Sequence, residues 1–280
     1  MINNVLIGNQ ICLLRKRNGF TQEELAGKLG VSPQAISKWE NGYSLPETAL
    51  LPLLAKSLNC SIDSILMPLE VKVGSLIPLG KYQWIVLKIE GERALILSEC
   101  VIDQRPFHEE MVFITWEHCD LRKYLNTDFY NSFDPSERAR ILETEISDVN
   151  NQWYGTKCSN PTVDKIFLLS VKELVEYFGD SGDLKNKKKH YWKTDEQIDI
   201  ADGVESLKRG ECIYDEFNEK RVAVYHKGWD ARWYWLRSPG MIEWKSAASV
   251  GYKGEIFLCG DGVGRGDGGI RPALWINLRS

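Results

Sequence analysis

Histidine and cysteine are the residue types most able to catalyse, and their spacing here favours no catalytic site. The four histidines are scattered, and His118, Cys119 and Asp120 are adjacent in sequence, which does not make a geometric triad. The seven cysteines form no CxxC pair, so reduced thiols are favoured over a zinc site. A hidden Cys–His site is the alternative. We therefore predict a protein that is not an enzyme and needs no cofactor or metal.

A glycine-rich segment, residues 260–269, holds the next candidate site. Five glycines precede Gly269 and are interleaved with charged side chains at Asp261, Arg265 and Asp267. Such a loop could cradle a small anionic or polar ligand. A flexible hairpin connection is the alternative that we favour.

Length and charge indicate how many domains the chain has and which of them could bind nucleic acid. With 280 residues, two domains are expected, at 1–68 and 74–280. Residues 1–66 carry six Lys or Arg and five Asp or Glu, whereas the remainder carries 29 and 34. An acidic whole still permits a small domain to bind nucleic acid through local cations. The chain has neither a long apolar run nor a signal-peptide pattern, which predicts a cytoplasmic protein without a membrane span.

The first 66 residues are punctuated as five short helices, predicted over about 3–18, 22–29, 33–41, 47–58 and 61–66. Thr21 and Glu24 form a capping box, and Ser32 is an N-cap followed by Pro33. Gly30 lies in the short turn between the second and third helices, as a helix-turn-helix requires. The third helix presents three polar residues outward, namely Gln34, Ser37 and Lys38.

The string TQEELAGKLGVSPQAISKWENGYSLP, residues 21–46, resembles the helix-turn-helix of the family that includes the lambda and 434 repressors and Cro, the XRE family. The resemblance implies that the third helix enters the major groove of double-stranded DNA. The DNA-contacting residues that it implies are Gln22, Ser32, Pro33, Gln34, Ser37, Lys38, Asn41 and Tyr43.

The resemblance also implies a role for individual positions. Gln34 would pair with adenine, and Lys38 with guanine or a nearby phosphate. Gln22, at the start of the second helix, would bind a phosphate. Arg15 and Glu40 would form an internal ion pair. Where some relatives have a base-reading glutamine this chain has a proline, residue 33, so one base contact is expected to be missing. Residue 39, a tryptophan, would pack at the domain edge.

From residue 74 onward the pattern becomes β-rich, after a short hinge at 67–70. Strands are predicted at 83–89 and 93–98, joined as a hairpin, and at 165–170. Helices are predicted at 121–130, 135–143 and 171–178, and a solvated lysine-rich loop at 180–190.

Two later strings, WYWLRSPG at 233–240 and GGIRPALW at 268–275, resemble a bacterial domain family of unassigned function related to the C-type-lectin-like and formylglycine-generating-enzyme fold. The resemblance implies an α+β domain that binds ligands through loops between its late strands. It also implies that Arg237 and Arg271 are structural. The chain lacks the Glu-Pro-Asn and Gln-Pro-Asp triplets of calcium lectins, so calcium-dependent sugar binding is not expected.

The leading hypothesis is a sequence-specific transcriptional regulator, most simply a repressor that binds as a homodimer, whose C-terminal domain senses a small molecule or a protein. One alternative is a lectin-like binding module tethered to DNA, as in a phage or mobile-element accessory protein. Another is an enzyme whose DNA binding is autoregulatory.

Overall fold

The structure, a computed structural model, describes residues 4–66, 71–191, 211–228, 230–242 and 245–278. These residues divide into two compact units, one on each side of the peptide bond between Lys72 and Val73. The predicted hinge at 67–70 lies outside the described residues, as do Trp229 and Trp244. No helix in the described ranges is both long and apolar enough to cross a membrane.

The N-terminal unit is helical. Its helices are α1 (Asn4–Arg17), α2 (Gln22–Leu29), α3 (Pro33–Glu40), α4 (Leu51–Ser57) and α5 (Ile62–Leu66). A single core holds them together, with Ile11, Leu25, Ile36 and Leu54 completely buried. The prediction of one helix over 47–58 is wrong in its first part. Residues Thr48–Leu50 form a 3-10 turn, and the α-helix begins only at Leu51, where Pro52 occupies the first turn.

The C-terminal unit is β-rich and contains short helices. The helices are α6 (Asp120–Tyr124), α7 (Pro135–Arg138), α8 (Val171–Phe178), α9 (Asp183–Asn186) and α10 (Asn218–Arg221). The strands of the first half are β1 (Leu76–Leu79), β2 (Tyr82–Glu90), β3 (Arg93–Ser98), β4 (Asp103–Gln104), β5 (Ile141–Leu142), β6 (Thr144–Ile146), β7 (Thr162–Asp164) and β8 (Phe167–Leu168). The later strands are β9 (His190–Tyr191), β10 (Glu211–Ile213), β11 (Ala223–Val224), β12 (Ala231–Arg232), β13 (Tyr234–Pro239), β14 (Ser246–Val250), β15 (Ile256–Gly262), β16 (Gly269–Ile270) and β17 (Pro272–Asn277).

Two large sheets hold most of these strands, while β6 pairs with β7 and β11 pairs with β12 in two-stranded sheets. The first has the order β1-β2-β3-β17-β5, with β8 also paired to β17, so that the last described strand lies beside the β2–β3 hairpin. The second has the order β4-β16-β13-β14-β15-β10-β9. Trp84 and Trp235, one from each sheet, are completely buried, which places large apolar side chains at the centre of the unit.

Several sequence-based predictions for this unit are confirmed and others are wrong. The hairpin of β2 and β3 and the helix at 171–178 are confirmed. The helix predicted over 135–143 ends at Arg138, because Ile141 and Leu142 instead pair with β17 and gain sheet hydrogen bonds. The strand predicted at 165–170 is reduced to Phe167–Leu168. The loop predicted at 180–190 contains helix α9, anchored by the buried Asp183.

Arg237 and Arg271 are structural, which confirms the expectation drawn from the late sequence motifs. The Arg237 guanidinium donates to the carbonyl oxygen of Leu168 at 2.7 Å and forms an ion pair with Glu173. The Arg271 Nε donates to the carbonyl oxygen of Ser98 at 3.1 Å. Both arginines are almost fully buried, so they connect strands and do not offer charge to a ligand.

Candidate nucleic-acid interface

Local sequence signals fix the ends of the two helices that build the candidate interface. Thr21 caps α2: its Oγ1 accepts from the Glu24 amide at 3.1 Å, and the Glu24 carboxylate accepts from the Thr21 amide at 2.7 Å. Gly30 ends α2 in the left-handed region, with φ of 67°. Ser32 then caps α3, because its Oγ accepts from the Ala35 amide at 3.2 Å. The short turn between the helices is therefore set by residues of the turn itself.

The inner face of α3 anchors it to the domain core. Ile36 is completely buried and Trp39 is only 5% exposed, within the same core as the apolar residues of α1 and α2. Gly8 of α1 is the residue that permits this packing. A Cβ atom there would lie 2.1 Å from the Trp39 carbonyl oxygen, so only glycine allows α1 to approach α3 this closely.

An ion-pair network completes the anchoring. The Arg15 Nε donates to Glu40 Oε1 at 2.5 Å, and a second guanidinium nitrogen donates to Oε2 at 3.0 Å, as the resemblance implied. The Gln22 Nε2 donates to the same Oε2 at 2.7 Å. Burial alone would raise the pKa of Glu40, but hydrogen bonds from Arg15 and Gln22 outweigh it and lower that pKa below its ordinary value. The Glu40 hydrogen bond also raises the pKa of Arg15.

Gln22 therefore has a structural role that the sequence analysis missed. It was expected to bind a phosphate, yet its side-chain amide nitrogen donates to Glu40. The residues are 18 positions apart, so no local pattern connects them. Gly8, in contrast, could have been found from its position between the buried Ile7 and Ile11 at helical spacing.

The outward face of α3 consists of Gln34, Ser37 and Lys38. Gln34 and Lys38 are exposed and one helical turn apart, with Ser37 half-buried beside them. Neither the Gln34 nor the Lys38 side chain has a hydrogen-bond or ion-pair partner among the described residues. A donor–acceptor amide and a cation are thus displayed together on one side of a rigid helix, the arrangement that can meet base edges and phosphates.

The remaining predicted contacts lie around the ends of α3. Pro33 occupies its first turn, directly after the exposed Ser32. Beyond the last turn, Asn41 is exposed, and its Nδ2 donates to the Ser37 carbonyl oxygen at 2.7 Å. This hydrogen bond holds Asn41 beside Ser37 at the end of α3. Tyr43 is 82% exposed and so is available to a partner. The structure brings all the residues predicted to contact DNA to α3, its flanks and the start of α2.

The second predicted site, at residues 260–269, has a different character. Strand β15 runs to Gly262, and a turn follows. The Arg265 guanidinium donates to Asp261 at 2.7 Å and to both carboxylate oxygens of Asp267, at 3.0 and 2.7 Å. It also lies over the Trp233 ring, 4.6 Å from its centroid. We call Asp261, Arg265 and Asp267 the Arg265 turn. Its one guanidinium is held between its two carboxylates, which argues against a ligand cradle. The expected hairpin connection is wrong, because β15 pairs with β14 and β10 whereas β16 pairs with β13 and β4, so the segment is a crossover between strands that are not neighbours.

Three of the described cysteines, Cys119, Cys212 and Cys259, are buried. Burial raises the pKa of each of Cys119, Cys212 and Cys259 to about 12, so these thiols are poor nucleophiles at neutral pH. His118, next to Cys119, is exposed and faces Glu117 at 3.6 Å. Within the described ranges, no three His, Cys, Asp or Glu side chains are grouped closely enough to hold a metal ion.

Comparison with known families assigns both units. The model described as "Domain of unknown function (DUF6273)" matches residues 91–278, and the model described as "Helix-turn-helix" matches residues 13–65. The first match covers well over half of the chain. The second covers α2 and α3 and most of the helical unit.

Curated relatives match the helical unit. The competence pilus inhibition repressor of Acinetobacter baylyi is 42% identical over 64 residues, which are 23% of this chain and 58% of the relative. The uncharacterized HTH-type transcriptional regulator YazB of Bacillus subtilis is 38% identical over 61 residues, 22% of this chain and 88% of the relative. The chain spans between 26% and 58% of the first three curated relatives that it matches.

Among solved structures, the P22 c2 repressor in complex with a synthetic operator is 38% identical, with a TM-score of 0.21, and the match covers 22% of this chain and 92% of that one. The first family match covers more than half of the chain, and the match to YazB covers 88% of that relative, so both family assignments are supported. The chain belongs to the DUF6273 family and carries at its N-terminus a helix-turn-helix domain of the XRE family of transcriptional regulators.

Proposed function

We propose that this protein is a sequence-specific DNA-binding transcriptional regulator, and most simply a repressor. The observation that carries the proposal is the outward face of α3, where Gln34 and Lys38 stand unpaired above a fully buried inner face. Two relatives that match the helical unit are described as repressors, namely the competence pilus inhibition repressor and the Repressor protein C2 of Salmonella phage P22.

The roles of individual residues follow from their chemistry. Gln34 offers the amide pair that suits adenine, and Lys38 suits guanine or a phosphate. Ser37 lies between them and reaches either a base or the backbone. Phosphate contacts would come from the first turn of α2 at Gln22 and from residues flanking α3, which are Ser32, Pro33, Asn41 and Tyr43. These contacts position α3, whereas Gln34 and Lys38 carry the sequence preference.

Selection of random duplex DNA by the purified full-length protein tests this function. We expect a short enriched motif for the wild type and its loss in Gln34→Ala/Lys38→Ala. Lys56→Ala is the matched control for loss of one cation, because Lys56 is exposed on α4 and belongs neither to α2 nor to α3. Salt-sensitive binding without any motif, unchanged in the double variant, would contradict the assignment of α3 as the recognition helix.

We further propose that the protein binds as a homodimer. A single short helix reads few base pairs, and two-fold helix-turn-helix dimers place their half-sites about 34 Å apart. A palindromic motif in the selection would agree with this. Light scattering that shows only a monomer, both free and bound to DNA, would contradict it.

The C-terminal unit is proposed to be a C-type-lectin-like α+β domain that senses a small molecule or protein and biases DNA binding. Its two large sheets and the structural roles of Arg237 and Arg271 agree with that fold. A sensor is favoured over an enzyme because burial raises the pKa of Cys119, Cys212 and Cys259 to about 12, which makes these thiols poor nucleophiles. A saturable rise in melting temperature caused by a ligand, without turnover, is the expected behaviour of a sensor. Turnover of that ligand would instead support the enzyme hypothesis.

A further inference from the structure

A cavity of about 260 Å³ lies in the C-terminal unit. Its walls come from the start of β2, from β4, from the helical segment that begins with α6, and from the residues after β11. Ligand pockets for drug-sized molecules start at about 300 Å³, so this cavity suits a metabolite of smaller size.

One wall of the cavity is aromatic. The rings of Tyr82 and Phe129 have centroids 6.2 Å apart, and the Tyr82 ring meets the His226 ring edge-on at 5.5 Å. Tyr124 extends the wall from the other side of Phe129, at 6.3 Å. Such a surface binds the apolar body of a ligand by area burial and ring contact.

The charges around this wall are separated. Asp103, Asp128, Lys81 and Lys227 line the cavity, and Asp103 forms an ion pair with Arg105 at 3.1 Å. Among the described residues, the Asp128 and Lys227 side chains have no hydrogen-bond or ion-pair partner, and Lys81 has only the Tyr82 ring, 5.3 Å from its Nζ. One carboxylate and two ammonium groups without an ion-pair partner therefore line this cavity. The Arg265 turn shows the opposite arrangement.

We propose that this cavity binds a free α-amino acid with an apolar side chain. The ligand ammonium group pairs with Asp128, its carboxylate pairs with Lys81 and Lys227, and its side chain packs on Tyr82 and Phe129. A zwitterion supplies both missing charges at once, which neither a simple amine nor a simple acid can do. The role of this ligand as an effector rests on the proposed regulatory function, whereas its binding does not.

Calorimetry on the full-length protein without DNA tests the binding. The probes are L-phenylalanine and L-leucine, together with N-acetyl-L-phenylalanine, which lacks the ammonium group, and L-phenylalaninamide, which lacks the carboxylate. We expect saturable binding of at least one free amino acid. Each lost charge-assisted hydrogen bond should weaken binding at least about tenfold, so both derivatives should bind worse than L-phenylalanine.

Variants assign the two charges. Asp128→Asn should weaken binding of the free amino acid and abolish the discrimination against the N-acetyl derivative. Lys227→Gln should weaken binding of the free amino acid and abolish the discrimination against L-phenylalaninamide. Glu145→Gln and Lys220→Gln change exposed charges elsewhere on the domain and should have no effect.

Three results would overturn the proposal: no saturable heat from either amino acid, equal affinity for L-phenylalanine and its two derivatives, or unchanged binding in Asp128→Asn and Lys227→Gln. Because no DNA is present, failure here leaves the DNA-binding function standing. Loss of DNA binding by the α3 variants would likewise leave this site intact.

Discussion

The outward face of α3 and the Arg265 turn are both candidate binding sites in the sequence, because each groups polar or charged residues in a short segment. In the structure the two differ in whether these residues already have partners. Gln34 and Lys38 stand without partners on a helix whose inner face is buried, whereas Arg265 is held by both neighbouring aspartates and by Trp233. Charged residues become a binding surface only where the fold leaves their hydrogen-bonding groups unsatisfied and holds them in place.

Removal of the Arg15–Glu40 ion pair, which lies beneath the outward face of α3, should have the largest effect on stability. Arg15→Met leaves the buried Glu40 carboxylate without its cation, which costs about 3–5 kcal/mol in comparable buried pairs. Hydrogen exchange of peptides from residues 4–66, measured in the full-length protein, should show a large loss of protection. Arg17→Met is the control, because Arg17 is exposed in the same last turn of α1. Equal losses in both variants would show that the ion pair does not hold α3.

The outward face itself should give the next effect. Gln34→Ala should relax the preference at one base pair of the selected motif by about 1–3 kcal/mol, because a bidentate base contact is lost. Competition binding with duplexes that differ at single positions measures this change. Gln83→Ala, an exposed glutamine of β2, serves as control. A uniform weakening across all duplexes would instead assign Gln34 to the DNA backbone.

Acidification should destabilise the helical unit by protonating Glu40. Because the pKa of Glu40 is lowered in the folded state, the ionised carboxylate stabilises the helical unit above its ordinary pKa of about 4.5. This stabilisation is lost as the pH falls through the lower, folded-state pKa. Protection of α3 against hydrogen exchange should therefore decrease below about pH 4.5, once corrected for the intrinsic exchange rate. If the protection of α3 depends on pH in the same way in Glu40→Gln as in the wild type, protonation of Glu40 is not the cause.

The Arg265 turn should give the smallest effect. Its guanidinium is nearly half exposed, and exposed ion pairs contribute about 0–1 kcal/mol. Arg265→Gln should therefore change the unfolding free energy by less than about 1 kcal/mol, as measured by urea denaturation. A much larger loss would mean that the turn holds β15 and β16 in place.

Local signals predicted the helical unit well. The capping residues of α2 and α3, the glycine between them and the apolar spacing of α1 are short-range features, and the structure follows them. The Arg15–Glu40 pair came from the family resemblance. The added hydrogen bond from Gln22 could not have been predicted, because it depends on how α2 and α3 pack.

The C-terminal unit was harder to predict for a physical reason. Ile141 and Leu142 follow a proper helix start at Asp134 and Pro135, yet they pair with β17, more than 130 residues later in the chain. The cavity at Tyr82 and His226 is likewise assembled from distant segments, and no local pattern in the sequence marks it. Long-range strand pairing overrides local preference in this unit.

The most direct test of the contrast between the two regions is the affinity for the selected duplex at one fixed salt concentration, measured by fluorescence anisotropy for three full-length proteins. These are the wild type, Gln34→Ala/Lys38→Ala and Arg265→Gln. We predict that the first variant loses at least about tenfold in affinity, since each good base contact contributes about 1–3 kcal/mol. Arg265→Gln should bind like the wild type. Unchanged binding by the α3 variant, or a comparable loss in Arg265→Gln, would contradict the assignment of α3 as the DNA-reading surface.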